Sequence, residues 1–173
     1  MPRIIASFLL FITLVSFKGN EPAGKITWLS LSEAETAAAI SNKPILIDLY
    51  TDWCVWCKVM DKRTYTNNSL AAYVQGKFYA VKINAETKTA IKWSGRSFNF
   101  SSDYKVNEFA IYVTGGRLVF PTTVIIPSNG SAPQAIPGYL KPKELELFLK
   151  YFGEGFYKHL SVEEYMQTAR SRW

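Results

Sequence analysis

Cysteine and histidine are scarce in this sequence, which contains two cysteines and one histidine among 173 residues. A structural zinc site usually takes about four ligands, mostly from these two residue types, so metal binding is disfavoured. A small fold held by disulfides would carry more than one short-range pair, which argues against that class too. We therefore expect no metal and no bound cofactor.

The sequence also has no apolar run long enough to span a bilayer comfortably. Its N-terminus has a short basic start at Arg3, followed by the apolar stretch Ile4 to Phe17. This pattern and length are typical of a signal peptide, so we predict that residues 1–19 are removed and that the protein is exported, either periplasmic or secreted. The alternative is an uncleaved segment, with residues 4–17 acting as a membrane anchor or as a buried first strand.

Acidic residues are fewer than basic ones, 14 against 20, which gives a formal net charge of +6. The basic residues are scattered and accompany no nucleic-acid motif, so they predict a solvated surface and no nucleic-acid partner. The length suits one core, and we expect residues 20–173 to form a single domain that is a monomer.

Both cysteines lie within residues 45–60. The run Ile45–Tyr50 is apolar except for Asp48, which predicts a strand buried on both faces. The stretch that follows contains no glycine or proline until Gly76, which predicts a helix that Cys54 opens and that runs through Tyr65, with a second helix start near Ser69. The unpaired N–H groups and the positive dipole end of a helix stabilise a thiolate there.

The spacing of Cys54 and Cys57 fits redox chemistry. On a first helical turn, Cα atoms at i and i+3 lie about 5 to 6 Å apart, which matches disulfide geometry. We predict that Cys54 attacks a partner and that Cys57 resolves the mixed disulfide. Lys58 is a minor candidate for activating Cys54. The alternatives for the pair are a zinc or copper site and an inert structural disulfide.

Three further side chains are candidates from the residues alone. Asp48 would have a raised pKa if it were buried without a partner, which makes it a candidate proton acceptor from Cys57. Trp53 and Trp56 flank the cysteines and are expected to shape a groove for a partner.

The remaining segments alternate between helix and strand signals. The predicted elements are a helix capped by Ser32-x-x-Glu35 through Ile40, a strand 77–84, a small hairpin within residues 85–104, a helix through Val106 and Val113 to Gly115, strands 118–126 and 133–139, a helix from Pro142 to Gly153, and a helix from Ser161 through Ala169. Pro137 places the second of the two later strands at a sheet edge.

This order and the Trp-Cys-x-x-Cys-Lys motif resemble the thioredoxin fold over about residues 26–152. The resemblance implies an α/β fold with a central mixed β-sheet flanked by helices. The insert 85–104 before the cis-proline strand and the extension 153–173, with its short helix, lie outside the minimal fold. Residues 52–58 most resemble exported thioredoxin-like proteins, including the periplasmic thioredoxin domain of the membrane disulfide reductase.

The resemblance also implies roles for single residues. Pro121 would follow a cis peptide bond, and the backbone of Phe120 would pair with an extended partner segment. Lys82 matches the lysine that neighbours the buried aspartate, here Asp48. The implied activity is thiol–disulfide exchange with protein thiols and disulfides, and a membrane disulfide reductase is one candidate partner.

Two other functions remain open at this stage. One is a peptide-binding or chaperone-like module that grips peptides with the aromatic residues of segment 93–104 and keeps a non-catalytic disulfide. The other is a dedicated electron shuttle for one membrane reductase. The dipeptide Val55-Trp56 does not determine whether the protein reduces, oxidises or isomerises its partners.

Overall fold

The computed structural model describes residues 24–128 and 130–173. The predicted signal peptide or anchor, residues 1–19 with the apolar stretch 4–17, lies outside the described residues, as does Asn129 between the predicted strands 118–126 and 133–139. None of the helices among the described residues has the length and hydrophobicity of a membrane span.

The described chain forms a mixed sheet with helices on both faces, as predicted. In chain order the elements are β1 (Trp28–Leu29), α1 (Leu31–Ser41), β2 (Ile45–Tyr50), α2 (Val55–Arg63), α3 (Asn68–Lys77), β3 (Tyr79–Asn84), β4 (Ile91–Trp93), β5 (Arg96–Phe98), β6 (Phe100–Ser101), β7 (Val106–Asn107), α4 (Glu108–Thr114), β8 (Thr122–Ile126), β9 (Gln134–Pro137), α5 (Pro142–Gly153), a 3₁₀ turn (Phe156–Lys158) and α6 (Val162–Thr168).

The central sheet has five strands in the order β1-β3-β2-β8-β9. Strand β3 runs parallel to β1 and β2, whereas β8 is antiparallel to β2 and β9 is antiparallel to β8. Strand β2 is therefore central and almost fully buried, as its apolar run predicts. Strand β9, which contains Pro137, lies at an edge, and that prediction is confirmed.

Alternation along β2 sends its side chains to two separate cores. Ile45, Ile47 and Leu49 pack with α1 and α4 on one face. Leu46 faces the other way and packs with α2, α3, α5 and α6. Asp48 has the same parity as Leu46, so its carboxylate lies on the α2 face of the sheet.

Two predicted helix starts are wrong. The capping box of α1 is formed by Ser30 and Glu33 rather than by Ser32 and Glu35, because β1 ends at Leu29 and the chain turns at once into the helix. In the second case Val106 lies in β7, and α4 begins only after Asn107, whose side chain accepts a hydrogen bond from the N–H of Phe109.

The helix after the cysteines is shorter than predicted. Helix α2 ends at Arg63 instead of continuing through Tyr65. A second helix, α3, begins after Asn67, whose side-chain oxygen caps the N–H of Leu70 at 2.9 Å. The following strand begins at Tyr79 rather than at Lys77, because α3 extends to Lys77.

The insert contains the predicted hairpin, formed by β4 and β5, and a second short ladder between β6 and β7. Its aromatic side chains mostly pack inward: the ring of Phe98 lies 5.5 Å from that of Phe109 and 5.3 Å from that of Tyr112. Among the insert's aromatic residues, Tyr104 stands out as 64% exposed. The insert therefore offers little free aromatic surface for gripping peptides.

The C-terminal extension folds back onto α5. Helix α6 begins with the predicted capping box of Ser161 and Glu164. Its Tyr165 ring packs 5.2 Å from the ring of Tyr151 on α5. The last residues are tied to α5 through Glu146, which accepts hydrogen bonds from the Ser171 hydroxyl and from the N–H groups of residues 172 and 173.

Candidate active site

Cys54 and Cys57 form a disulfide at the N-terminus of α2. Their Cα atoms are 5.3 Å apart, within the range predicted from their spacing. Cys54 is the N-cap residue, and its sulfur accepts a hydrogen bond from the N–H of Cys57 at 3.0 Å. A helix N-terminus with an N–H aimed at Sγ favours the thiolate form of Cys54 once the disulfide is reduced.

Both cysteines are only 4% exposed. A cysteine at the start of a helix is expected to be exposed, but in the disulfide form of this protein Cys54 is buried. The exposed groups at the site are its neighbours: Trp53 is 64% exposed, Val55 68% and Trp56 59%. Large apolar side chains left in water around a buried sulfur pair indicate a surface that another molecule covers.

The exposed indoles form the rim of a small groove. The Trp53 ring meets Phe120 edge-on at 6.1 Å, and the Trp56 ring lies 5.4 Å from Tyr139. The peptide bond between Phe120 and Pro121 is cis, as predicted from the resemblance. A groove of about 220 Å³ is lined by Trp56, Phe120, Pro121, Gly138 and Tyr139. We call this the aromatic groove.

Asp48 is buried beside Lys82, which lies opposite it in the parallel register of β2 and β3. The carboxylate of Asp48 is 2.8 Å from Lys82 Nζ, and the carboxylate of Asp61 on α2 contacts the same ammonium group. Burial raises the pKa of Asp48, and Lys82 opposes this effect without cancelling it. A carboxyl group with a raised pKa binds a proton more readily than an ordinary carboxylate, which suits a proton acceptor.

Lys82 is held by more than its two carboxylates. Its ammonium group lies 4.9 Å from the ring centre of Trp28 and 5.5 Å from those of Tyr50 and Tyr65. Burial acts to lower the pKa of Lys82, but the nearby carboxylates outweigh burial and raise it. Lys82 therefore stays cationic and remains available as a charge partner for Asp48.

Four hydroxyl groups are buried without a hydrogen-bond partner among residues 24–128 and 130–173: those of Thr51, Tyr65 and Thr123, and that of Tyr157 in the C-terminal extension. Burial raises the pKa of the Tyr65 phenol well above its ordinary value, and the nearby side chains of Asp48 and Thr123 also affect that pKa. No described atom lies in hydrogen-bonding geometry with the Tyr65 hydroxyl, so Tyr65 is a neutral polar neighbour of Asp48.

The remaining predicted residue, Lys58, is exposed on α2 and forms no ion pair with any described residue. The structure thus brings together Cys54, Cys57 and the aromatic groove, with the Asp48–Lys82 pair in the sheet at the base of α2. It does not connect Lys58 to either group.

Three residues that contact the site were not predicted from the sequence. Asp61 lies four residues after Cys57, a helical spacing that could have placed it on the side of α2 facing the sheet. Glu86 follows the end of β3, and its carboxylate accepts a hydrogen bond from Trp53 Nε1 at 2.8 Å. Tyr139 follows Gly138 and carried no sequence signal for its contact with Trp56.

A sequence profile described as a thioredoxin-like domain matches residues 31–153. The chain belongs to this family. Together with the Cys54–Cys57 pair, this membership makes the chain a thioredoxin-like protein-disulfide oxidoreductase.

Comparison with individual thioredoxin-like proteins agrees with this placement. The thiol:disulfide interchange protein DsbD of Escherichia coli K12 is 31% identical over 80 residues, which cover 38% of the chain and 14% of that protein. The chain therefore spans only a small part of this relative. A thioredoxin-fold protein from Helicobacter pylori superimposes with a TM-score of 0.54 at 16% identity, covering 73% of the chain and 83% of that protein.

A putative disulphide-isomerase from Bacteroides thetaiotaomicron has the same fold. It superimposes with a TM-score of 0.51 at 24% identity, and the match covers 76% of the chain and 95% of that protein. At these identities the two structural matches show the fold alone, so the roles of individual residues rest on the geometry of the site.

Proposed function

We propose that the protein is an exported oxidoreductase that exchanges disulfides with protein partners through Cys54 and Cys57. The observation that carries this proposal is the position of the Cys54–Cys57 disulfide, at a helix N-terminus beside an open aromatic groove. A structural staple would need neither feature. A loop this short also adds only about 2 kcal/mol of stability by the loop-entropy formula.

The reducing direction begins with the Cys54 thiolate. It attacks one sulfur of a partner disulfide, forms a mixed disulfide and releases the other partner sulfur as a thiolate. Cys57 then gives its proton to Asp48 and attacks Cys54 Sγ. The second partner thiolate leaves and Cys54–Cys57 is oxidised, so two electrons have passed to the partner. The oxidising direction uses the same steps in reverse.

Asp48 is proposed as the proton acceptor because it is buried, lies beneath the helix that carries Cys57, and has a raised pKa. Lys82 would modulate Asp48 through its contact at 2.8 Å. Proton transfer requires hydrogen-bond reach, direct or through one water molecule. Lys58 is proposed only as a weak electrostatic aid to Cys54, since charges on an exposed surface are screened.

The aromatic groove is proposed to hold the partner segment next to the sulfurs. The backbone of Phe120, before the cis bond to Pro121, would pair with an extended segment like an added strand. Trp53 and Trp56 would cover its side chains, because their exposed rings are large apolar surfaces with little conformational freedom to lose.

Export rests on the N-terminal sequence and on the similarity to DsbD, a thiol:disulfide interchange protein. On this basis residues 1–19 would be a signal peptide or an anchor, and residues 20–173 a single monomeric domain, located in the periplasm or outside the cell. A membrane disulfide reductase is a candidate partner. The sequence gives no reason to add a nucleic acid, a metal or another cofactor.

The test compares insulin disulfide reduction by the wild-type protein with that by Cys54→Ser and Cys57→Ser. We expect the wild type to be active, Cys54→Ser to be inactive, and Cys57→Ser to trap a mixed disulfide with insulin visible on a non-reducing gel. Wild-type activity no higher than that of Cys54→Ser would contradict the proposal. Slow insulin reduction combined with fast exchange with a membrane reductase domain would instead indicate a dedicated electron shuttle.

A further inference from the structure

A second pocket adjoins the aromatic groove and differs from it in charge. It measures about 470 Å³ and lies between the end of α2, the start of α5 and the last residue of the chain. Its lining includes Arg63, Asn67, Tyr139, Lys141, Lys143 and Trp173. We call this the cationic pocket.

The side chains of the three cations at this pocket form no ion pair with any described carboxylate. Arg63, Lys141 and Lys143 form no ion pair within residues 24–128 and 130–173, whereas Lys77, Lys82 and Lys150 each do. No acidic side chain contributes to the described lining. Like charges gathered at one pocket repel one another, and an anion bound among them relieves that repulsion.

The cationic pocket lies next to the aromatic groove. Tyr139 lines both, and its ring packs on Trp56 at 5.4 Å. The loop between them is fixed to α2, because the Thr64 hydroxyl donates a hydrogen bond to the carbonyl of Leu140 at 2.6 Å. The two sites are therefore adjacent and held in a fixed relation to each other.

The separation of the two sites suits an extended peptide. Trp56 and Arg63 are seven residues apart on α2, so they lie on nearly the same face, roughly 10 Å apart along the helix axis. An extended chain advances about 3.3 Å per residue and covers that distance in about three residues. A side chain three or four positions from the one in the groove would reach Arg63.

The opposite side of the groove has the opposite charge. Asp52 and Glu86 lie beside Trp53, and both are already engaged, Asp52 by Asn84 Nδ2 at 3.0 Å and Glu86 by Trp53 Nε1 at 2.8 Å. The free cations on one side and the engaged carboxylates on the other give the groove a polarity. A partner segment with an acidic residue on one side only would bind in one orientation.

The wall formed by Trp173 belongs to the extension, which lies beyond the family match at 31–153. Its ring packs 5.3 Å from the ring of Tyr73, and Lys150 Nζ lies 5.3 Å from its centre. Its N–H donates to Glu146 at 2.9 Å. These contacts hold Trp173 in place, so the extension completes a pocket that residues 31–153 alone would leave open.

We propose that the cationic pocket binds an acidic side chain of the partner protein, three or four residues from the residue that occupies the aromatic groove. This inference rests on the proposed function and deepens it by naming a substrate class. The preferred partner segment is apolar next to its reactive cysteine and carries a glutamate or an aspartate on one side of it.

The experiment uses the reduced Cys57→Ser protein and short peptides whose one cysteine carries a 2-thiopyridyl group. The Cys54 thiolate attacks the peptide sulfur, the peptide–pyridine disulfide breaks, and pyridine-2-thione leaves as a new Cys54–peptide disulfide forms. The rate is read from the absorbance of pyridine-2-thione. Each glutamate peptide is paired with a glutamine peptide, with the variable residue three or four positions before or after the cysteine.

We expect the glutamate peptide to react about five- to tenfold faster than its glutamine partner on one side of the cysteine only, with the preference lost in 0.5 M salt. The double variant Lys141→Gln/Lys143→Gln should reduce the ratio to about one. The matched variant Lys92→Gln/Lys105→Gln removes the same charge from the insert, on the other face of the sheet, and should keep the ratio. Using a ratio cancels any general loss of reactivity.

Four results would overturn the inference. The first is a rate ratio of one in the wild-type background, and the second is a ratio that does not depend on the position of the glutamate. The third is an equal loss of the ratio in both double variants, and the fourth is equal slowing of both peptides by inorganic phosphate at matched ionic strength. The third indicates net charge alone, and the fourth a site for a free anion. In all four the glutamine peptides still react. If they fail to react with Cys54 at all, the proposed function fails instead.

Discussion

Two buried carboxylates in this protein lie beside lysines and yet differ in their proton affinity. Asp48 in β2 is 2% exposed and contacts Lys82, while Glu146 in α5 is fully covered and contacts Lys150. The pKa of Asp48 is raised, whereas that of Glu146 is lowered. Burial beside a cation therefore does not by itself determine the charge state of a carboxyl group.

The two carboxylates differ in the number of hydrogen-bond donors that surround them and in the depth at which they are buried. Burial is the largest influence on both groups and favours the neutral form of each. Glu146 is covered only by the thin terminal segment and receives four donors: Lys150 Nζ and the Ser171 hydroxyl at 2.5 Å each, and the N–H groups of Arg172 and Trp173 at 2.8 and 2.9 Å. Asp48 lies deep in the sheet, and Lys82 is its one ion-pair partner within residues 24–128 and 130–173.

The two sites suit different tasks. Glu146 stays ionised, so it serves as a fixed anchor for the end of the chain. Asp48 has a raised pKa because it is buried, so its carboxylate binds a proton more readily than an ordinary one, which suits a group that exchanges a proton with Cys57. The same residue chemistry supports structure in one place and reaction in the other.

The largest expected effect is on activity, and it comes from Asp48→Asn. Removing the proton acceptor should lower insulin-reduction turnover about 100-fold at neutral pH. The same change should raise the free energy of unfolding of the oxidised protein by about 1 kcal/mol, because a desolvated charge is removed while Lys82 keeps Asp61. Steady-state kinetics and urea unfolding measure the two effects.

Asp103→Asn is the matched control, since it makes the same substitution at an exposed position in the insert. It should change neither quantity appreciably. An Asp48→Asn protein that is less stable and fully active would contradict the contrast between the two carboxylates.

The second-largest effect is expected from Glu146→Gln, which should lower the stability of the fold. An amide side chain cannot accept all four donors, so the free energy of unfolding should fall by about 2 kcal/mol. This corresponds to a fall of roughly 4–8 °C in Tm for a protein of this size. Calorimetry on this variant and on Glu163→Gln, an exposed glutamate of α6, measures it. Equal Tm values for the two variants would show that Glu146 anchors nothing.

The pH dependence of these two variants separates the carboxylates further. Because the pKa of Glu146 is lowered, its stabilisation is present above its ordinary value of 4.5 and is lost as the pH falls through the folded-state pKa. Because the pKa of Asp48 is raised, the folded state loses stability as the pH rises from 3.8 to the folded-state pKa.

Urea unfolding at several pH values therefore gives opposite signs. At neutral pH the wild type should be more stable than Glu146→Gln and less stable than Asp48→Asn, and both differences should shrink in acid. Differences of the same sign at neutral pH would be incompatible with the assigned pKa directions.

The smallest effect is expected from Ser171→Ala, which removes one of the four donors to Glu146. A cost of about 1 kcal/mol in unfolding free energy is expected, since the other three donors remain. Ser69→Ala on the exposed side of α3 provides the reference. If Ser171→Ala costs as much as Glu146→Gln, the hydroxyl and not the carboxylate dominates the anchor.

The sequence predicted the site best where the signal is local. The apolar run Ile45–Tyr50 and the spacing of Cys54 and Cys57 depend on neighbours a few residues away, and the strand, the helix start and the disulfide spacing are all confirmed. Predicting the contact between Asp48 and Lys82 required the family resemblance as well, because the sequence of one strand does not determine its register with a parallel neighbour.

What the sequence could not provide depends on distant partners or on competing local patterns. Glu146 would be taken as a solvent-exposed charge paired with Lys150, because the other three donors come from residues 25 to 27 positions later. Ser30 and Ser32 are each followed three residues later by glutamate, and only the end of β1 selects Ser30 as the cap.

The most direct test of the central claim is a redox titration of the Cys54–Cys57 disulfide in glutathione buffers, followed by alkylation and mass measurement of the native protein. The account predicts one reversible two-electron transition in which both thiols appear together, and no transition in Cys54→Ser. A disulfide that stays oxidised in the native protein even with excess dithiothreitol, and opens only on unfolding, would contradict it.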